Sequence, residues 1–319
     1  MTSDLENALR IPTFLVGSER SGTTLLRLML DHHPQISFNP EFEYSVSQMA
    51  DDGTPPDMDA YFRFLETDFI FPGAKFAVDS ALPYGELMHD FLRQKLSRDG
   101  KQFIGATVHH HFHRLLHLWP QARFIHLLRD PRDVASSVIG MGWAGNVWVG
   151  ANRWVEAEMI WESMLPQLTE DRFIEVVYED LIRDPPLHLA RICDFMGTKY
   201  DAVMLDYHLH STYSPADPKL VFQWRKKLAK EDIALVETKC GGLLMDRGYE
   251  HSGLPKREVS PAEVERLEEE SQRLARRFLI KRYGLPLLLG AKIARTLRLT
   301  GLADHLQMKM NIITEKYIK

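Results

Sequence analysis

Between residues 10 and 17 an apolar run (Ile11, Phe14, Leu15, Val16) closes on Gly17. A short apolar run ended by glycine predicts a strand buried on both faces. A polar turn follows, and residues 25–33 then carry apolar side chains at helical spacing. Residues 123–128 read as a second buried strand, introduced by the Pro120-Gln121 turn. Asp130-Pro131 opens a helix, because proline suits a helix's first turn. A third strand is predicted over 173–177. Residues 180–197 read as helical with a break at Pro185-Pro186, and residues 146–161 as one helix. Strands alternating with helices predict an α/β fold of three layers, with a central parallel sheet covered on both faces.

The pattern changes twice. Residues 53–73 are richer in acid, proline and aromatics and read as an insertion over the ligand side. Residues 211–218 read as a loop. After Pro255 the chain becomes highly charged, with Ser260-Pro261-Ala262-Glu263 as a helix start. Residues 1–254 are therefore read as the main domain and 255–319 as a helical C-terminal extension. The end of that extension sets Lys281, Arg282, Lys292, Arg295 and Arg298 among leucines. It fits packing on the domain or on a second subunit, which would make a homo-oligomer. It also fits an amphipathic helix on an anionic membrane surface, although Gly284, Pro286 and Gly290 interrupt the pattern.

The 319 residues, 45% hydrophobic and 26% charged, suffice for a core without metal or disulfide support. The net charge of −5 gives no overall attraction to nucleic acid or anionic membrane, so an anionic ligand needs a local basic site. Cys193 and Cys240 form neither a metal-ligand spacing nor a disulfide framework, which fits a reducing cytoplasm. No apolar run reaches membrane-spanning length, and the first residues lack a signal-peptide pattern. A cytoplasmic protein is the expectation.

The candidate chemistry starts at Gly17-Ser18-Glu19-Arg20-Ser21-Gly22-Thr23-Thr24, between the first strand and helix. Gly17 and Gly22 have the spacing of a nucleotide P-loop, in which glycines and a helix N-terminus bring N–H groups onto an anion. Thr23 stands where the P-loop lysine would reach a triphosphate, which argues against ATP or GTP. Arg20 lies inside the loop and suits a phosphosulfate. The second signal is His126-Leu127-Leu128-Arg129-Asp130-Pro131-Arg132-Asp133, running on to Ser137. Arg129 falls at the carboxyl end of a strand, where ligands sit in open α/β sheets. Ser137, in the second turn of the next helix, can face the same anion. A surface Arg–Asp network is the plainer reading of that segment.

Together these segments resemble the 5′- and 3′-phosphate motifs of sulfotransferases that use PAPS (3′-phosphoadenosine-5′-phosphosulfate). The tyrosylprotein and Golgi-type branch is the most similar in these motifs. The resemblance runs over about residues 10–250. It implies that Arg20, Ser21, Gly22, Thr23 and Thr24 hold the 5′-phosphosulfate, and that Arg129 and Ser137 hold the 3′-phosphate. Val177-Tyr178-Glu179-Asp180-Leu181 is similar to the segment whose tyrosine contacts adenine, and Gln223-Trp224 to the segment that closes over the nucleotide. No metal is implied, and the acceptor is expected to present a hydroxyl. A phenol, sugar, lipid or peptide tyrosine would serve.

The general base is expected at Glu41, which resembles the glutamate after the family's His-Pro turn (here His33-Pro34). Were the segment extended, Glu43 would share its face. The rival is a histidine among His109, His110, His111 and His113, with His110 the chosen second catalytic candidate. Helical i,i+4 spacing within that cluster also admits zinc, without the usual flanking ligands. The family commonly has a lysine here that steadies the bridging oxygen; Ala106 or His110 stands in its place, so a protonated histidine or Arg20 is expected to take that catalytic role. Gly140-Met141-Gly142-Trp143, leading on to Trp148, reads equally as an acceptor-side loop or a core corner. A kinase-like nucleotide enzyme, or a protein that binds PAPS without turnover, are the other readings.

Overall fold

The computed structural model describes residues 2–297 and 299–315; Arg298 of the basic tail lies outside the described residues. The strands are β1 (Thr13–Val16), β2 (Ile36–Glu41), β3 (Phe103–Val108), β4 (Arg123–Leu128) and β5 (Phe173–Val177). The longer helices before β4 are α1 (Thr2–Arg10), α2 (Thr23–His32), α3 (Met58–Thr67) and α4 (Tyr84–Asp99). Those after it are α5 (Pro131–Met141), α6 (Asn152–Met164), α7 (Tyr178–Arg183), α8 (Pro185–Met196) and α9 (Lys230–Cys240). The C-terminal three are α10 (Pro261–Tyr283), α11 (Leu285–Thr296) and α12 (Thr300–Glu315).

All strand pairs are parallel, in the order β2-β3-β1-β4-β5. Successive side chains on a strand point to opposite faces. Phe14 and Val16 of β1 accordingly enter a core with Phe124, Phe91 of α4 and Trp161 of α6. Leu15 enters the opposite core with Ile125, Leu26 of α2 and Leu189 of α8. Both faces are thus covered, which is why β1 reads as an uninterrupted apolar run. A third cluster joins Val134 of α5, Val236 of α9 and Leu267 of α10, so the C-terminal extension is helical and shares core with the rest.

Every strand delivers its carboxyl end to one edge of the sheet. The strand order reverses between β1 and β4, which opens a crevice at their carboxyl ends. The segments after β1 and β4 are the two motif loops.

Several local readings change. The span 146–161 is not one helix: Val147–Gly150 is a separate short turn before α6. β2 ends at Glu41 and Glu43 starts a 3₁₀ turn, so the two glutamates do not share a strand face. The histidine cluster is not a helix either. It leaves β3 through a bend, with His111 at φ 52, before the turn Phe112–Arg114.

Candidate active site

The first loop is built around two positive-φ glycines. Gly17 sits at φ 138, and a Cβ there would lie 2.4 Å from the Leu127 carbonyl oxygen of β4. Gly22 sits at φ 94, and a Cβ there would lie 2.3 Å from the Tyr178 ring. Only glycine permits both the backbone angle and the approach. α2 starts at Thr23, so the N–H groups of its first turn face the loop unpaired by the helix. Ser21 is fully buried and its hydroxyl has no partner among the described residues.

Arg20 adopts φ 69, an uncommon angle for a residue with a side chain. Two contacts from the second motif hold it there. Arg129 Nη1 donates to the Arg20 carbonyl at 2.9 Å, and Arg20 Nε donates to Ser137 Oγ at 3.0 Å. Arg20, Arg129 and Ser137 are therefore one cluster although 117 residues separate the first from the last. The Arg129 guanidinium lies 4.5 Å from the centroid of the Tyr178 ring, and its buried Nε has no partner among the described residues. The crevice thus holds a hydroxyl and a guanidinium N–H that no described residue pairs, beside a helix N-terminus. That donor set fits a doubly phosphorylated nucleotide.

The Asp-Pro-Arg-Asp segment is not a surface network. Asp130 is fully buried and Arg132 nearly so. Arg132 forks onto Asp130 at 2.8 and 2.7 Å and reaches Glu237 at 2.7 Å. Trp224 Nε1 donates to Asp130 Oδ2 at 2.9 Å, and the Trp224 backbone N–H to Asp133 Oδ1 at 2.7 Å. The Gln223-Trp224 segment is thereby pinned to the start of α5, beside Arg129.

On the other side of α2 lies a cavity of about 370 Å³, walled by Thr24, Arg27, Glu41, Phe69, His109 and Tyr213 among others. Glu41 reaches it from the end of β2. Its side chain keeps an exposed edge, but desolvation by the cavity walls raises its pKa, Glu43 raises it further, and His109, Arg27 and Arg20 pull against the rise. Glu43 lies behind it. Burial pushes Glu43 up to about 7, against the pull of the His109 backbone N–H donated to it at 2.7 Å. His109 is buried and held down at about 4, chiefly by that burial. Its Nδ1 is 3.3 Å from Glu43 and its Nε2 3.0 Å from Thr23 Oγ1. With the ring proton on Nδ1, the Thr23 hydroxyl donates to Nε2. Thr23 thus commits its side chain to His109 and leaves its backbone N–H for the crevice, whereas Thr24 faces the cavity.

The other histidines point elsewhere. His110, 42% exposed, pairs with Glu19 at 3.1 Å and does not line the cavity. His113 binds Asp51 at 2.9 Å. Among the described residues no three ligands converge on a metal position. Ala106 is fully buried in the core, so neither Ala106 nor His110 occupies a catalytic lysine's place in the cavity. Instead Arg20 and Arg153 approach the Trp143 ring, at 6.0 and 4.7 Å from its centroid, and Arg153 pairs with Glu19. Trp143 flanks the loop arginines and is not among the cavity walls, while Gly145 N donates to Ser271 of α10 at 2.9 Å in a packed corner.

Sequence reasoning passed over Arg27, Arg153 and Tyr213. Arg27 had a signal: it lies one helical turn beyond Thr23, on the same face of α2. Arg153, in the first turn of α6, and Tyr213, in the loop over 213–217, carry no local pattern, because segments distant in sequence bring them in.

Residues 12–202 match the model of the Sulfotransferase family. Carbohydrate sulfotransferase 5 of Mus musculus is 24% identical over 79% of this chain and 84% of its own length. Protein-tyrosine sulfotransferase A of Caenorhabditis elegans is 23% identical over 61% of this chain, which spans about half of that relative at 52%. Two solved structures share the fold. The sulfotransferase domain from the curacin biosynthetic pathway aligns at TM-score 0.53 and 18% identity, covering 77% of this chain and 99% of that one. The sulfotransferase domain from the Synechococcus PCC 7002 olefin synthase aligns at TM-score 0.51 and 24% identity, covering 72% and 94%. With the family model matching more than half of this chain, and the two motif loops meeting in one crevice, this chain belongs to the sulfotransferase family.

Proposed function

We propose that this sulfotransferase takes its sulfuryl group from PAPS and passes it to a hydroxyl of an acceptor seated in the Glu41 cavity. The observation that carries the reading is the Arg129–Arg20–Ser137 cluster, which joins the two motifs into one anion site. In this reading Arg129 and Ser137 bind the 3′-phosphate, and Tyr178 supports the adenine side. Arg20, Ser21 and the N–H groups of Gly22, Thr23 and Thr24 bind the 5′-phosphosulfate. The donor supplies an activated sulfuryl group.

Glu41 accepts the acceptor's proton. A carboxylate whose pKa is raised is a better base near neutral pH than an ordinary one. Glu43 and neutral His109 support it from behind, and Arg20 meets the negative charge that develops on the leaving side. His110 is replaced by His109 as the histidine near the chemistry. The hydroxyl acceptor, no nucleic acid, no metal, and a cytoplasmic location belong to the same proposal. The two cysteines, buried and unpaired, support a reducing compartment. No helix among the described residues is long and apolar enough to cross a membrane.

The test is transfer of radiolabelled sulfate from PAPS to a panel of phenols, sugars, tyrosyl peptides and lipid alcohols, with ATP in parallel. Acceptor-dependent labelling, lost in Arg20→Ala, is expected. Phosphoryl transfer from ATP with none from PAPS would overturn the reading.

A further inference from the structure

We propose that the C-terminal helices dock this protein on an anionic lipid surface, through the hairpin α11–α12 and the basic end of α10. The inference does not rest on the donor assignment.

The first half of α10 fixes the geometry. Leu267 and Ser271 are buried against the domain, and Asn146 Nδ2 donates to the Leu267 carbonyl at 2.7 Å. Beyond Ser271 the helix turns a stripe of Arg273, Arg276, Arg277 and Lys281 to solvent. None of the four takes part in an ion pair among the described residues. The Gly284 and Pro286 interruption then folds the chain into an antiparallel hairpin. Tyr283 meets Thr314 at 2.6 Å, Arg295 donates to Gln307 at 2.6 Å, and Leu306 packs over Gly290.

The hairpin buries little of its own apolar surface. α11 turns Ala291 and Ala294 inward and leaves Leu285, Leu289 and Ile293 exposed at four-residue spacing. α12 leaves Met308 and Ile312 exposed on one face. Among the described residues, nine of the fifteen exposed large hydrophobics fall between Leu279 and Ile312, so the excess is local. Exposed apolar side chains concentrated this way mark an interaction surface.

Charge selects the occupant. Residues 273–319 hold eleven Lys or Arg against two Asp or Glu, within a chain of net charge −5. A second copy meeting this face across a two-fold axis would bring arginine stripes together, with like charges opposed. An anionic bilayer supplies the opposite charge and an apolar interior at once, the combination that holds amphipathic helices in the interface. The hairpin also abuts the cavity. Asn311 of α12 donates to the Thr67 carbonyl at 3.4 Å, just before Phe69 and Ile70 of the cavity wall. A docked hairpin therefore holds the cavity beside the lipid.

The experiment is sedimentation of the full-length protein with vesicles of phosphatidylcholine alone, or with about a third phosphatidylserine. Binding only to the serine-containing vesicles, reversed by about half-molar salt, is expected. Arg276→Glu with Arg277→Glu should weaken it by about tenfold or more. Leu289→Gln with Ile293→Gln should do likewise, both variants keeping the wild-type circular dichroism because the sites are exposed. No binding by the wild type, equal binding to neutral vesicles, or indifference to both variants would overturn the proposal. So would a dimer in sedimentation equilibrium that Leu289→Gln with Ile293→Gln dissociates, since the face would then belong to a second copy.

Discussion

Glu41→Gln removes the proposed base while keeping the side chain's size and the shape of the cavity. None of the donor-site hydrogen bonds runs through Glu41, so donor affinity should change by less than about twofold, corresponding to well under 1 kcal/mol. The rate of transfer should fall steeply. Positioned general bases contribute about 10²–10⁴-fold, so kcat should drop by that factor, or about 3–5 kcal/mol. The pH profile gives a second readout. The wild type needs Glu41 ionised, so its rate should fall as pH drops through a pKa raised above the ordinary carboxylate value. That acid limb should vanish in Glu41→Gln. Single-turnover transfer with preloaded donor, run across pH, separates chemistry from product release. Near-normal turnover in Glu41→Gln, with loss in His109→Ala or His110→Ala, would show that a histidine removes the proton.

Three further outcomes follow from the same structure. Gly22→Ala forces a side chain to φ 94 and into the Tyr178 ring. Strain of about 1–2 kcal/mol plus overpacking of about 1–3 kcal/mol should weaken binding of 3′,5′-adenosine bisphosphate by tenfold or more, read by calorimetry. Trp224→Phe keeps an aromatic ring, though a smaller one, and removes the donor to buried Asp130, and should lower the unfolding free energy by about 1–3 kcal/mol in urea titrations. Buried His126 gives a pH effect away from the site. Burial alone would lower its pKa, but Glu158 and Glu175 outweigh burial and raise it from 6.5 to about 8. A raised folded-state pKa gives stability that is full below about 6.5 and lost as pH rises through about 8, here about 2 kcal/mol. Urea unfolding between pH 6 and 9 should show that loss in the wild type and not in His126→Gln; equal losses would refute it.

The donor crevice was legible because each half is local. A strand, a glycine loop and a helix start lie within a dozen residues at β1, and a strand, Arg129 and a helix start do so again at β4. β2 and β3 were not legible, for reasons visible in their residues. β2 ends in Asn39-Pro40-Glu41 and β3 carries Gly105 at its centre, so neither shows the uninterrupted apolar run that marked β1. Missing those strands obscured the base side of the site. Glu41 and Glu43 share a face only on an extended segment, and the strand ends between them. His109 and His110 could not be separated by sequence, because only the end of β3 decides which ring turns into the cavity. Arg132 and Asp130 resembled a solvated pair until Trp224 and Glu237, from about a hundred residues later, enclosed them. The charge of the tail was plain in the sequence, but which faces of α11 and α12 the domain leaves uncovered was not.

The central claim is that the two motifs form one site selective for a 3′-phosphate. Calorimetric titration with 3′,5′-adenosine bisphosphate, 5′-AMP and ATP, repeated on Arg129→Ala, tests it most directly. The bisphosphate should bind at least about a hundredfold more tightly than 5′-AMP, a difference of about 3 kcal/mol, with that preference lost in the variant. Equal binding of bisphosphate and 5′-AMP, or tightest binding of ATP, would contradict the account.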